Sequence, residues 1–429
     1  MRFSAMTLFD VSCPPVSSSV LAAARRTGRA LFAIAGLAAI VALGGCTTTR
    51  QAQAPTPAAS TMPAPSNPIT GEEPGFLRLS DMTANAAPVR VGIILPFSNG
   101  SPATRALALS MLNAAEMALF DSKNHNIVLM TADEGGGGYE AADAARDLLS
   151  KGAEIILGPL FSQSVTAVAP VARERGVPVI AFSTDRSVAG NGVYLLSFQP
   201  ENEVTRIITY AASQGHSNFA ALVPQNAYGD HVAAAFTNDV PAVSGQIASL
   251  QRFNPASGDV VAPAKTIAGS NADALLVAQG GQLLRGIAPT LAYDGLDSDH
   301  VKLLGTGVWD DPSILHEPAL VGGWFAAPQP DADDAFDARY QSVFGSQPPR
   351  LTTLTYDAVA LVALLSTGPA YHRFTPEALT DPNGFSGITG IFRFDQNGDC
   401  ERGLAILSVG EDGFTVVSPA PATFEHLGS

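Results

Sequence analysis

The chain predicts an α/β protein of two doubly wound, Rossmann-like lobes, and three observations lead to that class. Short runs of branched apolar residues alternate with amphipathic helical segments, which implies parallel strands with helices on both faces. The alternation comes as two successive series. A length of 429 residues also exceeds what one core commonly organises. With 46% hydrophobic and 15% charged residues the chain is globular, and 40 glycines with 31 prolines predict many turns between short elements.

The first segment reads as an address. Arg25, Arg26 and Arg29 precede the uncharged run from Ala30 to Leu43, the order of a secretory signal, and the run is shorter than the roughly 20 residues of a membrane span. Residues 1–24 are either an extended leader or follow a misassigned start. Leu43-Gly44-Gly45-Cys46 resembles a bacterial lipobox, in which the cysteine takes a lipid before the signal, residues 1–45, is cut. The alternative is a buried cysteine behind a membrane anchor. Thr47 after the cysteine, rather than Asp, is similar to the sorting pattern of outer-membrane lipoproteins in the periplasm. Cleavage leaves 20 basic against 38 acidic residues, a net charge of −18 compared with −15 for the whole chain. Such a surface repels phosphate backbones and excludes nucleic acid as a partner. Residues 46–88 are rich in Pro, Ala, Ser and Thr without hydrophobic periodicity and read as a tether. In a fully polyproline-like form it reaches on the order of 100 Å.

The folded body starts at Val89–Leu95, a strand, followed by the loop Pro96 to Gly100 and a helix from Ala103 to Phe120. Strand–helix units follow at residues 126–132 with 141–150 and 153–157 with 164–175, then a strand at 177–182. The second series has strands at 219–223, 245–250, 274–277 and 301–304, with helices at 231–238, 260–270 and 281–289 between them. A strand at 321–326, an acidic helix start at Asp331, Asp333 and Asp334, and a helix at 351–365 complete it. Ligands of such sheets bind beyond the carboxyl ends of the strands. The loops there are hydroxyl-rich, and Ser162 and Ser183 stand near helix starts, where free N–H groups favour an anion. The alternative is that both serines are N-caps.

Taken together, VRVGIILPFSNG, AEIILGPLFSQSV, VPVIAFST, LVPQNAYGDHVAAAF, ARYQSVFGSQPPRLTTLTYDAVALVALL and GITGIFRFDQNGD resemble, in order, the type I periplasmic binding fold of the leucine/isoleucine/valine-binding class. The resemblance implies three crossovers, near Gln199, Pro328 and Gly398. It places residues 89–199 with 329–398 in lobe I, 200–328 with 399–418 in lobe II, and 419–429 in a tail. It also implies a solute carboxylate held near Ser162, Ser183 and Thr184, with Ser98 and Tyr228 nearer the mouth. Family members place Glu where this chain has Thr306, and Asp310 is the nearest acid able to meet an ammonium. The run YLLSFQPENEVTRIITYAASQGHSNFAALVPQNAYGD is most similar to penicillin-binding protein activators, outer-membrane lipoproteins that stimulate peptidoglycan synthases by contact. Those activators often carry an additional helical-repeat domain where this chain has its tether.

Catalytic motifs are missing from the sequence: it has no G-x-S-x-G, no S-x-x-K with K-T-G and no H-E-x-x-H, so a non-enzymatic protein without cofactor or metal is expected. Gly135 to Gly138 lacks the Lys-Ser/Thr of a P-loop and reads as a mobile loop. Asp294, Asp297 and Asp299 read as a solvated turn. Asp395, Asp399 and Glu401 lack EF-hand spacing, and Asn397-Gly398 reads as a two-residue hairpin turn. Three cysteines are too few for a disulfide framework. Two functions remain: an activator of peptidoglycan synthases, or a transporter's binding protein for an amino acid or other small polar or anionic solute.

Overall fold

The computed structural model describes residues 76–79, 88–370 and 372–424. Cys46, the signal segment and most of the expected tether lie outside the described residues. The first lobe is built from β1 (Phe76–Arg78), β2 (Val89–Leu95), α1 (Pro102–Ser122), β3 (Ile127–Asp133), α2 (Gly138–Ser150), β4 (Ile155–Leu157), α3 (Ser162–Arg173), β5 (Val179–Ala181) and β6 (Val193–Leu195). Its sheet has the order β1-β3-β2-β4-β5-β6, parallel except for β1. All seven residues of β2 are buried because helices cover both faces, which explains its unbroken apolar run.

The second lobe follows as α4 (Pro200–Ser213), β7 (Asn218–Pro224), α5 (Ala227–Ala242), β8 (Gln246–Phe253), α6 (Val261–Ala268), β9 (Ala274–Val277), α7 (Gly281–Tyr293), β10 (Lys302–Gly305) and β11 (Trp324–Ala327). The chain then returns to the first lobe for α8 (Pro330–Phe344), α9 (Thr352–Leu365), β12 (Phe385–Gly387), β13 (Gly390–Phe394) and β14 (Cys400–Arg402). Leu354, Ala358 and Val362 of α9 join the core formed by β2 and α1, together with Phe392, Phe394 and Cys400. Finally β15 (Ala405–Val409) and β16 (Phe414–Ser418) complete a second sheet of order β16-β15-β11-β10-β9-β7-β8. Two doubly wound lobes joined by three passages are the result. Among the described residues no helix is long and apolar enough to cross a membrane.

Four local expectations are corrected. The stretch read as tether up to residue 88 contains β1, which satisfies the free edge of β3 by pairing Phe76, Leu77 and Arg78 with Met130, Leu129 and Val128; three residues are too short to show a period. The helix expected from Ala141 starts at Gly138, where a Cβ would stand 2.9 Å from that of Ala167 on α3, so glycine permits close helix packing. The third passage lies at residues 403 and 404, not near Gly398, because Cys400–Arg402 first completes a hairpin with β13. That hairpin has a three-residue loop rather than a two-residue one. Asp395 and Asp399 close it, and of its residues only Gly398 has positive φ (84°), which a type I′ turn would also require of Asn397.

Gly158, which ends the β4 strand run, has φ +88°, and a Cβ there would lie 2.1 Å from the Ile94 carbonyl oxygen. Gly158→Ala is therefore expected to lose at least about 1–3 kcal/mol of stability. Chemical denaturation measures it, and an unchanged midpoint would contradict the close strand-end packing.

Candidate functional site

The loops at the carboxyl ends of β2 to β5 line one edge of the first lobe, and acids dominate it. Asp133, the last residue of β3, accepts the N–H groups of Phe97 (2.9 Å), Ser98 (3.2 Å) and Gly135 (3.2 Å) on one oxygen. Burial pushes its carboxyl upward, but these bonds and the Ser98 hydroxyl together outweigh burial and hold it below its ordinary range. Glu134 is fully buried. Its two oxygens accept the N–H groups of Leu160 and Phe161, each at 3.0 Å, and it also bonds the Ser164 hydroxyl. Burial raises its pKa against those bonds. Phe161, at the N-cap of α3, offers no capping side chain, so Glu134 supplies an acceptor from a neighbouring loop.

Ser162 opens α3 without capping it, and its hydroxyl bonds Asp185. The Ser187 hydroxyl (2.6 Å) and N–H (3.0 Å) also reach Asp185. These bonds, led by the Ser187 hydroxyl and helped by His231 of α5, hold the Asp185 carboxyl down. Ser183 is buried and accepts the Asp185 N–H at 3.1 Å, and Thr184 between them is exposed. Ser162 and Ser183 thus meet around Asp185, while Ser98 is tied separately to Asp133.

Tyr228 stands in the second lobe, its hydroxyl 2.5 Å from that of Thr306; burial pushes its pKa up. The acid beside this turn is Glu203 of α4 rather than Asp310. Glu203 is 4% exposed on a helix face it shares with Val204, Ile207, Ile208 and Ala211. It accepts the Gly307 N–H at 2.9 Å and lies 3.3 Å from an Arg350 nitrogen, and the other Arg350 terminal nitrogen donates to the Gly307 carbonyl at 3.2 Å. Burial raises the Glu203 pKa and Arg350 pulls it back. Next to Arg350, Asp333 is pushed up to about 7, first by burial and then by Asp337 and Asp310. Deeper in the first lobe, burial lifts Asp357 to about 6 although it accepts the Ile388 N–H at 2.7 Å.

Residues 88–413, which hold both α/β lobes, are matched by a family described as periplasmic binding protein. The chain belongs to that family, in its type I, leucine-binding class. Among solved periplasmic binding structures it is similar to a putative branched-chain amino acid ABC transporter from Rhodospirillum rubrum, at 19% identity and TM-score 0.70 over 77% of this chain and 100% of that one. A leucine-, isoleucine-, valine-, threonine- and alanine-binding protein from Brucella ovis is similar at 14% identity and TM-score 0.61, over 79% and 95%. At these identities the likeness shows the fold alone. Among curated proteins, penicillin-binding protein activator LpoA of Vibrio cholerae is 27% identical over 161 residues, which are 35% of this chain and 25% of that one. LpoA of Pantoea ananatis is 29% identical over 107 residues, 25% of this chain and 16% of that one. The chain therefore matches about a quarter or less of the length of these relatives.

Glu134, Asp185, Glu203 and Arg350 were missed in the sequence. For Glu203 a signal exists: a charge inside an apolar helical stripe. For Arg350 none does, since its partners lie more than 40 residues away.

Two outcomes are expected. Glu134→Ala leaves the part-buried N–H groups of Leu160 and Phe161 without their acceptor, and a loss on the order of 1 kcal/mol or more should appear as a lowered denaturation midpoint, with Glu134→Gln milder. For Asp333 the folded pKa lies above its ordinary 3.8, so the folded state holds a proton that the unfolded chain releases. Its effect is absent below pH 3.8, grows more destabilising up to about pH 7 and then levels. Asp333→Asn should melt increasingly above the parent between pH 4 and 7; parallel melting profiles would refute this.

Proposed function

We propose that the protein is a non-enzymatic lipoprotein of the periplasm, lipid-anchored at Cys46, that regulates peptidoglycan synthesis by contact with a penicillin-binding protein. The observation that carries this reading over solute capture is Glu134. The N–H groups of Leu160 and Phe161, which lead into α3 where an anionic solute would be received, already serve a buried carboxylate of the chain itself. Asp133 and Asp185 add two further acids held in their charged form at the neighbouring loops. A solute carboxylate arriving there meets like charge, and the two donors leading into α3 are already engaged; burying a charge beside like charge is costly. The likeness to two LpoA proteins supports the contact role.

Surface plasmon resonance of the protein against the periplasmic part of a bifunctional peptidoglycan synthase tests it. Saturable binding is expected, and calorimetry with leucine, glutamate and alanine should be silent. Absent synthase binding together with micromolar amino-acid binding would replace the reading with a transporter's solute-binding protein.

A further inference from the structure

At the end of the first lobe opposite the gap, the turns that lead into β5 and β6 and the segment around Phe374 enclose two adjoining depressions of about 240 and 140 Å³. Both are lined by Gly176, Val177, Pro178, Phe374 and Pro376, so they form one groove with a largely apolar wall. Glu154, which lines the larger depression, is neutralised by Arg373, one guanidinium nitrogen donating to both carboxylate oxygens at 2.9 Å. No side chain narrows the groove at Gly176 or Gly192, where a Cβ would have nothing within 4 Å.

Tyr194 lines the smaller depression and is 5% exposed. Its ring packs on that of Phe394, with centroids 5.4 Å apart. A buried tyrosine hydroxyl ordinarily finds a partner, yet among the described residues this one has no hydrogen bond. Burial, and then Glu377 next to Pro376, push its pKa up, so the hydroxyl keeps its proton and is a donor. Walls of proline and aromatic rings with one unused donor between them fit an extended, polyproline-type peptide, whose rings pack on the walls and whose carbonyls have no internal partner.

The chain itself carries such a peptide. Residues 51–71 contain five prolines and no charged side chain, and they lead to Phe76 on the edge of the same lobe's sheet. The groove lies four to five strand spacings away, about 20–24 Å, and at the opposite end of strands about 23 Å long. A path around the lobe is therefore on the order of 50 Å. Pro63 and Pro65, 13 and 11 residues ahead of Phe76, reach about 40 Å in polyproline form and fall short. Pro55 and Pro57, 21 and 19 residues ahead, reach about 60 Å and span it.

We propose that this groove binds the chain's own segment through Pro55-Thr56-Pro57, with the Tyr194 hydroxyl donating to one of its backbone carbonyls. The ligand class is an uncharged, proline-containing extended peptide, and its attachment to the same chain gives it a high effective concentration at the groove. With Cys46 held in a membrane, docking leaves nine residues ahead of Pro55, about 30 Å, where the free segment of thirty residues reaches about 90 Å. That consequence rests on the lipid-anchored reading; the docking does not, because groove and segment belong to this chain.

Photo-crosslinking on the full chain tests it, with p-benzoylphenylalanine in place of exposed His372 at the groove and, as a control, of exposed Asn238 on α5. Crosslinks from position 372 should map to residues 51–60 of the same chain, and those from position 238 should not. Tyr194→Phe, which removes the hydroxyl and keeps the ring, should lower the yield severalfold, as should Pro55→Ala combined with Pro57→Ala. A labelled peptide of residues 51–60 should bind the doubly substituted chain more tightly than the parent, whose groove is filled. Crosslinks that miss the segment, that join two chains, or that persist undiminished in both variants would overturn the proposal, as would a peptide bound equally by parent and variant.

Discussion

Glu203 sits in a helix face that is otherwise apolar, and its need for donors ties together parts of the chain that are far apart in sequence. A carboxylate removed from water is tolerated only with partners for its oxygens. Those partners come from the turn after β10 and from the residue ahead of α9, so one side chain constrains α4, the second sheet and the first lobe at once. Replacing one partner strands the others. The coupling lies beside the first passage, where Phe198 stacks under the same guanidinium.

The same logic operates within the first lobe. Asp133 and Glu134 are adjacent, yet their environments push them apart: several donors hold Asp133 charged, while burial works against the charge on Glu134. Together they organise the loops after β2, β3 and β4 around internal acceptors. A site arranged in this way is rigid before anything arrives, and the donors that order it are already engaged.

Much of the architecture was legible in the sequence because buried parallel strands must be continuous apolar runs; Val89–Leu95 and Ala274–Val277 are found with the same bounds in both. Boundaries slipped where a glycine starts a helix, at Gly138, or where a hairpin outlasts its turn, at Cys400–Arg402. The hydroxyls were legible as types but not as roles. Ser162 and Ser183 both converge on Asp185, one on its carboxylate and the other on its N–H. Thr306 stands where the family suggests an acid, and the acid that is there comes from α4, a hundred residues earlier in the chain. Distance in sequence, not weakness of the local pattern, concealed the Arg350 pairing.

The edge strand β1 fixes where the chain enters the body. Phe76 lies opposite Met130 and Arg78 opposite Val128, so the polypeptide arrives from the side where β3 ends in Asp133 and Glu134. Any mechanical load transmitted along the segment preceding Phe76 is delivered to the rim of the gap, through three antiparallel rungs, and not to the far end of the lobe. Force applied at Phe76 is therefore borne first by the border where the loops after β2, β3 and β4 meet.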